Sequence, residues 1–534
     1  MARFGAAVKP AQPLLSPCVI PHSVPDDDVR PELAELRTRV AATLDDARSD
    51  AVARRRKTGQ RTARENVADL VDPGSFAEYG GLALAAQRAR LTQSQLIAQS
   101  PADGLVAGTA TIGGTRALVM AYDYTVFAGT QGGMGHKKLD RMIALAAEHA
   151  LPVVLYAEGG GGRPNDTDMP LVAGLDTPSF RAFAALGGLA PRIGIASGRC
   201  FAGNAALLGL CDIVIATDNS SIGMGGPAMI EGGGLGTFQP EEVGPIDMQT
   251  KSGVVDVRAR DEAEATAIAK RALGYFTQPA TPWTCADQAA LRTMIPPERR
   301  RAYKVRPLID ALADTGSVLE LRKDFGLAAV TALARIEGKP VGIVANSSQH
   351  LGGAIDSDAS DKLARFMVLC DAFGLPIVSL CDTPGFMVGP KAEATGLVRH
   401  ASRLFAMAAS LQVPYFTIIL RRGYGLGAQA MAGGHFHAGA FTISWPSGEF
   451  GAMGLEGAVR LSLRKQLEAL PDEAARDAMV TEAVGVAYER GKAISMASYL
   501  EIDGVIDPAD TRAWIVRGMQ AAPTQRRRRF IDPW

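Results

Sequence analysis

The sequence predicts an α/β protein built from two related domains, and three observations support this prediction. With 534 residues, the chain is longer than a single hydrophobic core usually organises. Short apolar runs that suit buried strands alternate with segments in which apolar residues recur at helical spacing. Finally, the segments that begin at Gly114 and Leu151 recur at Gly338 and Leu375, and both pairs have the same separation along the chain, which we call the repeat offset. One structural unit is therefore present twice.

The region before the first copy is predicted to contain an arm and a helix. Residues 1–30 carry prolines and three consecutive aspartates at 26–28 with little periodicity, which predicts an extended arm. The charged segment 31–56, rich in alanine and leucine, is typical of a helix. We expect the basic run at 54–57 to be a solvated helix end.

The first copy reads as strand, helix, strand. An apolar strand is predicted over 117–121 and a second over 152–156. Between them the apolar side chains recur at helical spacing, namely Leu139, Met142, Ile143, Ala146 and Ala147. The second strand leads into four consecutive glycines at 159–162. The second strand of this copy therefore ends in a turn made of glycine residues.

The second copy repeats this order. Its strands are predicted over 341–345 and 376–380, and the second one leads into the turn T-P-G-F at 383–386. Continuous apolar strands that alternate with helices are typical of largely parallel sheets covered by helices. In such folds ligands bind beyond the carboxyl ends of the strands, which is where both turns lie.

The boundary between the copies is predicted in the stretch 279–301, whose prolines and arginines suit a linker. We therefore expect a first domain over 31–290 and a second over 300–534. The arginine run at 526–529 near the end of the chain is expected to be a solvated tail or an oligomer contact.

Composition excludes several classes of function. Lys plus Arg and Asp plus Glu both number 56, so no net field favours nucleic acid or an anionic membrane as a partner. Six cysteines without a C-x-x-C pair, the lack of a signal-like start and the lack of a long apolar run predict a soluble, cytoplasmic protein. Without H-E-x-x-H no metal is expected, and we assign His435 and His437 to a loop or the core.

The two glycine turns are the candidate sites. No P-loop and no G-x-S-x-G motif is present, so neither ATP use nor serine hydrolysis is indicated. Backbone N–H groups at such turns converge readily on an anion, and two turns suit chemistry with two developing negative charges. Glu158 and Asp382, which precede the turns, are expected to fix them rather than to act as bases.

Longer motifs resemble the carboxyltransferase (β) subunits of biotin-dependent acyl-CoA carboxylases, which include propionyl-, acetyl-, methylcrotonyl- and long-chain acyl-CoA carboxylases. The motifs are T-A-R-E-N at 62–66, L-V-D-P-G-S-F-A-E at 70–78, Y-D-Y-T-V-F-A-G at 122–129, V-G-I-V-A-N at 341–346, C-D-A-F-G-L-P at 370–376, D-T-P-G-F at 382–386 and R-H-A at 399–401. The resemblance covers about residues 35–520, and the combination of motifs is specific for this family.

The resemblance implies a fold and a reaction. It implies two crotonase-like domains of the ClpP/crotonase superfamily, the first on the acyl-CoA side and the second on the biotin side. It also implies a site between the first domain of one protomer and the second domain of another, in a hexamer built as a trimer of dimers. In the implied reaction, part of fatty acid metabolism, carboxybiotin releases CO2, the biotin enolate takes the α-proton of the acyl-CoA, and the thioester enolate attacks CO2.

The resemblance also implies site residues. By position, the N–H groups of Gly160 and Gly161 would bind the thioester oxygen, and those of Leu426 and Gly427 would bind the ureido oxygen of biotin. The residues implied to contact the ligands around these donors are Arg163, Gly203, Phe386, Gly425 and Gln429.

The chain departs from the family pattern at the first turn and near the second. The usual D-S-G-G-A-R becomes Glu158, four glycines and Arg163, and Gln429 stands where propionyl-type enzymes often have Asp. The segment 225–234 resembles long-chain acyl-CoA carboxylases. We therefore leave the acyl group open, with a long chain favoured.

The partners follow from motifs that the chain lacks. Neither an A-M-K-M biotinylation motif nor an ATP-grasp region occurs, so a biotin carboxylase and a biotin carboxyl carrier are expected on other polypeptides. Two alternatives stay open: the corresponding subunit of a biotin-dependent acyl-CoA decarboxylase, and a non-catalytic scaffold subunit of a carboxylase assembly.

Overall fold

The computed structural model describes residues 30–164, 166, 168, 175–277, 279–522 and 528–534. Of the arm predicted at 1–30, only Arg30 is among them, so that prediction lies outside the described residues. Elements up to residue 277 form the first half of the chain, and elements from residue 279 onward form the second half.

The first half begins with helices and then alternates strands and helices. Its strands are β1 (Ala77–Glu78), β2 (Leu105–Ile112), β3 (Thr115–Tyr122), β4 (Val153–Tyr156), β5 (Arg192–Ala196), β6 (Arg199–Phe201), β7 (Ile213–Thr217), β8 (Ser221–Gly223) and β9 (Val257–Ala259). Its α-helices are α1 (Pro31–Ala41), α2 (Ser49–Arg56), α3 (Ala63–Leu70), α4 (Gln93–Gln99), α5 (Gly133–His149), α6 (Ser179–Ala184), α7 (Gly203–Gly209), α8 (Pro227–Gly232), α9 (Ile246–Lys251) and α10 (Glu262–Thr277).

The second half follows the same scheme and ends in a helical region. Its strands are β10 (Leu319–Leu321), β11 (Ala329–Ile336), β12 (Lys339–Asn346), β13 (Ile377–Thr383), β14 (Tyr415–Tyr424), β15 (Phe441–Ser444), β16 (Glu449–Gly451) and β17 (Gly504–Val505). Its α-helices are α11 (Arg306–Leu312), α12 (Ser357–Phe373), α13 (Pro390–Glu393), α14 (Leu397–Ala409), α15 (Gly425–Met431), α16 (Leu455–Ser462), α17 (Arg464–Glu468), α18 (Glu473–Arg490), α19 (Ala493–Ser498) and α20 (Thr511–Ala521).

Each half is organised around one mixed sheet, and the two sheets have equivalent strand orders. The order is β1-β2-β3-β4-β5-β7-β9 in the first and β10-β11-β12-β13-β14-β15-β17 in the second, where β16 also pairs with β14. In both sheets the first three strands pair antiparallel and the later ones pair parallel. The repeat in sequence is thus a repeat of topology, and the predicted α/β class is confirmed.

The predicted strands of both copies are also confirmed. The runs 117–121 and 152–156 coincide with β3 and β4, and the runs 341–345 and 376–380 coincide with β12 and β13. They are continuously apolar because helices cover both faces of the sheet, so successive side chains on either face are buried. Helix α5, for example, packs Leu139 and Met142 against this sheet.

The two halves share a hydrophobic core. Helix α10 contacts β5 and β7 in the first half and β11 and β12 in the second. One buried cluster accordingly joins Ile193 and Ala269 with Leu333. A polar contact accompanies it, because the guanidinium of Arg365 donates to the backbone oxygen of Asp212 at 3.1 Å.

The segment predicted to be a linker, 279–301, packs against the second half. Leu291 lies in a buried cluster with Leu308, and Arg299 pairs with Glu449 at 2.5 Å. The exact domain boundary stays a prediction. Within the described part of the chain, every helix is too short or too polar to cross a lipid bilayer.

The final segment, 528–534, is docked on the protein. Arg529 pairs with Asp371 of α12 at 2.6 Å, and Arg528 donates to the backbone oxygen of Ala185 in the first half. The expectation of a solvated arginine tail is therefore wrong for Arg529, whose side chain is mostly buried, whereas Arg528 is exposed and makes one hydrogen bond to the first half. Residues 526 and 527 of the run lie outside the described residues.

Candidate active site

Two turns of the same construction follow equivalent strands. The first turn (residues 158–162) follows β4, and the second turn (residues 382–386) is formed by the end of β13 and the residues after it. Gly161 has φ 88° and its counterpart Gly385 has φ 123°. Both values lie where only glycine is comfortable, so the glycines at these positions serve the backbone conformation.

Each turn lies against the start of a helix that follows the neighbouring strand. A Cβ atom on Gly161 would lie 2.6 Å from the Cβ of Ala202 and 3.5 Å from the backbone nitrogen of Gly203, at the start of α7. In the second half, a Cβ on Gly427 of α15 would lie 2.6 Å from the Cα of Gly385 and 3.0 Å from the nitrogen of Phe386. Each half therefore joins one turn to one helix start.

The turns are held by equivalent backbone hydrogen bonds. The Gln131 N–H donates to Gly161 O at 2.7 Å, and the Ile355 N–H donates to Gly385 O at 3.0 Å. The two donors are separated by the repeat offset, as are the two acceptors. The internal repeat thus extends to single hydrogen bonds.

The N–H groups predicted to bind the thioester have partners within the chain. The Gly160 N–H donates to Ala128 O at 3.2 Å, and the Gly161 N–H donates to the side-chain oxygen of Asn204 at 3.0 Å. A ligand oxygen would have to displace these acceptors, so the donor role of Gly160 and Gly161 stays a prediction. The repeat itself points to another pair, because Leu426 and Gly427 correspond to Ala202 and Gly203.

The predicted donors are not equivalent in the two halves. In the first half they belong to the turn (Gly160 and Gly161), whereas in the second half they belong to the start of a helix (Leu426 and Gly427). The repeat offset, counted back from Leu426 and Gly427, was the signal that identifies Ala202 and Gly203 as their equivalents. The first N–H groups of an α-helix have no intrahelical acceptor, and they carry the positive end of the helix dipole. Gly203, which was predicted to contact the ligands, therefore lies at a helix start that suits an oxyanion.

The predicted residues of the second half meet around one cavity. Gly425, Leu426 and Gln429 line a cavity of about 460 Å³ together with residues of β16. Leu426 is 63% exposed, so this side of the cavity is open to solvent. Phe386 lies beside this site, because its nitrogen is next to Gly427. The structure therefore brings four of the predicted residues together with Gly427.

Arg163 holds the loop around the first turn. Its guanidinium is only 3% exposed, pairs with Asp103 at 2.5 Å and lies 4.8 Å from the centre of the Phe127 ring. A side chain enclosed in this way has no free face for coenzyme A. In the described structure Arg163 therefore has a structural position rather than the predicted ligand contact.

The carboxylates before the turns are both buried and paired with arginine. Glu158 accepts hydrogen bonds from Arg55 at 2.8 and 2.5 Å, and Asp382 accepts them from Arg421 at 3.0 Å and Arg422 at 2.7 Å. This agrees with the expectation that the two acids fix the turns. It also corrects the expectation of a solvated basic run at 54–57, because Arg55 is buried in this pair.

The two carboxylates differ in acidity because their surroundings differ. Burial raises the pKa of Glu158 to about 7, and its single pairing with Arg55 offsets this only in part. Burial also raises the pKa of Asp382, but attraction to Arg422 and Arg421 outweighs it, so the net pKa lies below the ordinary value.

The described residues contain no cluster of three or more His, Cys, Asp or Glu placed to hold a metal ion. His435 and His437 lie in a loop after α15, where the His437 N–H donates to the ring of His435 at 3.1 Å. The ring of His437 in turn lies 2.9 Å, measured from Nε2, from the backbone oxygen of Leu500.

Comparison with known proteins gives consistent matches. Residues 54–533 match the carboxyl transferase domain family. The chain is 32% identical over 513 residues to the methylmalonyl-CoA carboxyltransferase 12S subunit of Propionibacterium freudenreichii subsp. shermanii, covering 93% of this chain and 95% of that subunit. The crystal structure of transcarboxylase 12S, a hexamer solved with methylmalonyl-coenzyme A bound, is 30% identical with a TM-score of 0.81 and covers 93% of this chain and 96% of that one.

A second solved structure is more similar in sequence. It is a single-chain, multi-domain long-chain acyl-CoA carboxylase, which is 56% identical with a TM-score of 0.87 over 92% of this chain. The present chain spans only 49% of the length of that carboxylase.

Proposed function

Because the chain belongs to the carboxyl transferase domain family and is a carboxyltransferase of the biotin-dependent acyl-CoA carboxylase type, we propose that its halves bind different reactants. Its two sheet domains have the crotonase fold. The first half binds the acyl thioester, and the second half binds biotin. The observation that supports one anion-binding site in each half is the repeated pairing of one turn with one helix start.

In the first half, the thioester oxygen binds near the first turn and the start of α7. Removal of the α-proton, which precedes carboxylation, forms a thioester enolate, whose negative oxygen needs N–H donors. The Gly203 N–H is at the first turn of α7, where no intrahelical acceptor is available. Gly160 lies in the same turn, and its N–H would become a donor if the substrate displaced Ala128 O, whereas the Gly161 N–H stays on Asn204 Oδ1 and keeps the shape of the turn.

In the second half, the ureido oxygen of biotin accepts hydrogen bonds from the N–H groups of Leu426 and Gly427. When carboxybiotin loses CO2, negative charge develops on this oxygen, and the positive end of α15 stabilises it. The cavity of about 460 Å³ lined by Gly425 and Gln429 accommodates the bicyclic ring.

The biotin enolate, formed within the site, acts as the proton acceptor in place of a side-chain base. Glu158 and Asp382, the carboxylates that precede the turns, are enclosed by arginine and have no open path to a substrate. A base must reach the proton that it removes. The two carboxylates therefore keep their role of fixing the turns.

The acyl group is proposed to be a long chain. The structure with 56% identity is that of a long-chain acyl-CoA carboxylase. In addition, Met224, Met229, Leu235 and Phe238 form an exposed apolar patch near α8. This patch is connected to the site, because the Ala202 N–H donates to Gly223 O at 3.0 Å. An aliphatic tail that leaves the thioester along this patch buries apolar surface on both sides.

Biotin and its carboxylation are supplied by a biotin carboxylase and a carrier domain. We place the reaction in the cytoplasm, in fatty acid metabolism, with the chain assembled as a hexamer. The hexameric assembly of transcarboxylase 12S supports this assignment.

The proposal is tested by fixation of ¹⁴C-bicarbonate into a panel of acyl-CoAs from short to long chains, with the biotin carboxylase and biotinylated carrier present. We expect label in the acyl-CoA fraction and the highest kcat/KM for long chains. Fixation restricted to short chains would contradict the acyl assignment. Absence of label on every substrate, with a carrier shown to be carboxylated, would contradict the proposed function.

A further inference from the structure

Asn204 connects the first turn to helix α7. It is the second residue of α7 and is fully buried. Its counterpart in the second half, one repeat offset further along the chain, is Ala428, which has no polar side chain. The repeat is therefore broken at this position, next to a helix start that belongs to the candidate site.

Both the oxygen and the nitrogen of the Asn204 carboxamide form hydrogen bonds with the backbone at the first turn. Its oxygen accepts the Gly161 N–H at 3.0 Å. Its nitrogen donates to Gly129 O at 3.3 Å and to Glu158 O at 3.2 Å. Because one partner is a donor and two are carbonyl acceptors, only one orientation of the amide satisfies all three.

The second half makes the same bridge with a different residue. The Thr383 hydroxyl donates to Gly353 O at 2.8 Å and accepts the Gly385 N–H at 3.1 Å. Gly353 and Gly385 are the counterparts of Gly129 and Gly161. In both halves, then, one side chain joins the same carbonyl oxygen to the same turn N–H.

The residue that corresponds to Thr383 is Gly159, which has no side chain. A Cβ atom there would lie 2.6 Å from the Asn204 side-chain nitrogen and closer still to Gly129 O. The space that a hydroxyl residue would need at 159 is thus occupied by Gly129 O and the Asn204 side chain together. This accounts for the first glycine of the run at 159–162, where the family pattern D-S-G-G-A-R has serine.

We propose that Asn204 is the positioning residue of the first half, which replaces the missing hydroxyl at 159 and ties the first turn to the helix start that carries Gly203. This inference rests on the proposed function, which assigns the first half to the acyl thioester. The hydroxyl of Thr383 joins the turn after β12 to the second turn without reaching a helix, whereas Asn204 joins the corresponding two turns to α7. Asn204 thereby holds the turn and the start of α7 in one fixed arrangement.

The expected consequence is a loss of turnover that exceeds the loss of substrate binding. Displacing reacting groups by about 1 Å can lower turnover by about 100-fold. Asn204→Ala removes the bridge, and Asn204→Asp keeps the shape but replaces the donor with an oxygen that faces two carbonyls. We expect both variants to lower kcat by about 10- to 100-fold, while the dissociation constant of the acyl-CoA changes less than about threefold.

The experiment measures kcat, KM for acyl-CoA, KM for the carboxylated carrier, acyl-CoA affinity by calorimetry, and Tm, on the full chain with its partners. Ser100→Ala is the matched control, because this fully buried side chain of the first half also bonds two backbone atoms, Ala85 N–H and Leu96 O. We expect it to lower Tm without lowering kcat. Thr383→Val is the mirrored variant in the second half, and we expect it to lower kcat while the affinity for acyl-CoA stays unchanged.

The outcomes distinguish failure of the proposed function from failure of the positioning role of Asn204. If the wild-type chain carboxylates no acyl-CoA, the proposed function fails. If the wild-type chain is active and Asn204→Ala retains its kcat, the positioning role is overturned. The same conclusion follows if Asn204→Ala and Ser100→Ala lose turnover equally, or if Asn204→Ala raises the dissociation constant of the acyl-CoA by as large a factor as it lowers kcat.

Discussion

At the scale of single residues, the proposed site uses backbone N–H groups rather than side-chain acids or bases. Gly427 shows why small residues are needed, since a Cβ there would lie 2.6 Å from the Cα of Gly385. Leu426, by contrast, is 63% exposed, so its side chain is accommodated without burial against the turn. In the proposed site, a ligand oxygen must come close to backbone N–H groups, and small residues allow this approach.

The donor role of Leu426 can be tested without disturbing the second turn. Proline is tolerated in the first turn of a helix, so Leu426→Pro removes one N–H without a clash at Gly385. Loss of an oxyanion donor typically costs about 3 kcal/mol, and we expect kcat to fall by about 100-fold. Leu426→Ala, which keeps the N–H, should lose far less turnover. Equal losses in the two variants would argue against a donor role.

At the scale of structural elements, each half brings together a turn from one strand and a helix start from the next. Strand periodicity alone predicts the strands, because a run covered on both faces is continuously apolar. It does not predict which helix start faces which turn, since that depends on the order of strands in the sheet. The pairing of β4 with β5, and of β13 with β14, places these pieces side by side.

The patch around α8 gives a prediction at this scale. Met229 is 65% exposed there, and burial of one such side chain against an acyl tail contributes about 1.5–3 kcal/mol. We therefore expect Met229→Gln to raise KM for long-chain acyl-CoA by about 10-fold and to leave short-chain kinetics unchanged. Val398→Gln on α14, where the side chain is 67% exposed, is the control and should alter neither.

A different result would reassign the patch. If Met229→Gln instead weakens assembly, as measured by analytical ultracentrifugation, the patch is a contact between protomers rather than an acyl-binding surface. Unchanged kinetics together with unchanged assembly would show that the patch has neither role.

At the scale of the whole molecule, the two halves are joined by more than the chain between them. Helix α10 packs on both sheets, and the final segment crosses from Ala185 in the first half to Asp371 in the second. The shared core and the final segment therefore hold the two halves in a fixed relation within one chain.

The final segment gives a prediction at this scale. Arg529 pairs with Asp371 at 2.6 Å and donates to the Ser410 hydroxyl at 2.6 Å, and both partners of the ion pair are mostly buried. Loss of this partly buried pair should cost roughly 2 kcal/mol, between exposed and fully buried pairs. We expect Arg529→Ala to lower Tm by a few degrees in calorimetry. Arg464→Ala, which removes an exposed pair with Glu468, should not shift it. Equal Tm values for the wild type and Arg529→Ala would contradict docking of this segment.

The sequence by itself determined the α/β class, the internal repeat, the paired strands, both turns and the family. These features are local or periodic, so residue spacing reports them directly. Only the tertiary structure decided that Arg55 pairs with Glu158, that Arg529 pairs with Asp371, and that Asn204 takes the Gly161 N–H. These partners lie 103, 158 and 43 residues apart. No local pattern records such contacts, because folding of the sheets, and not spacing along the chain, brings the partners within hydrogen-bond distance.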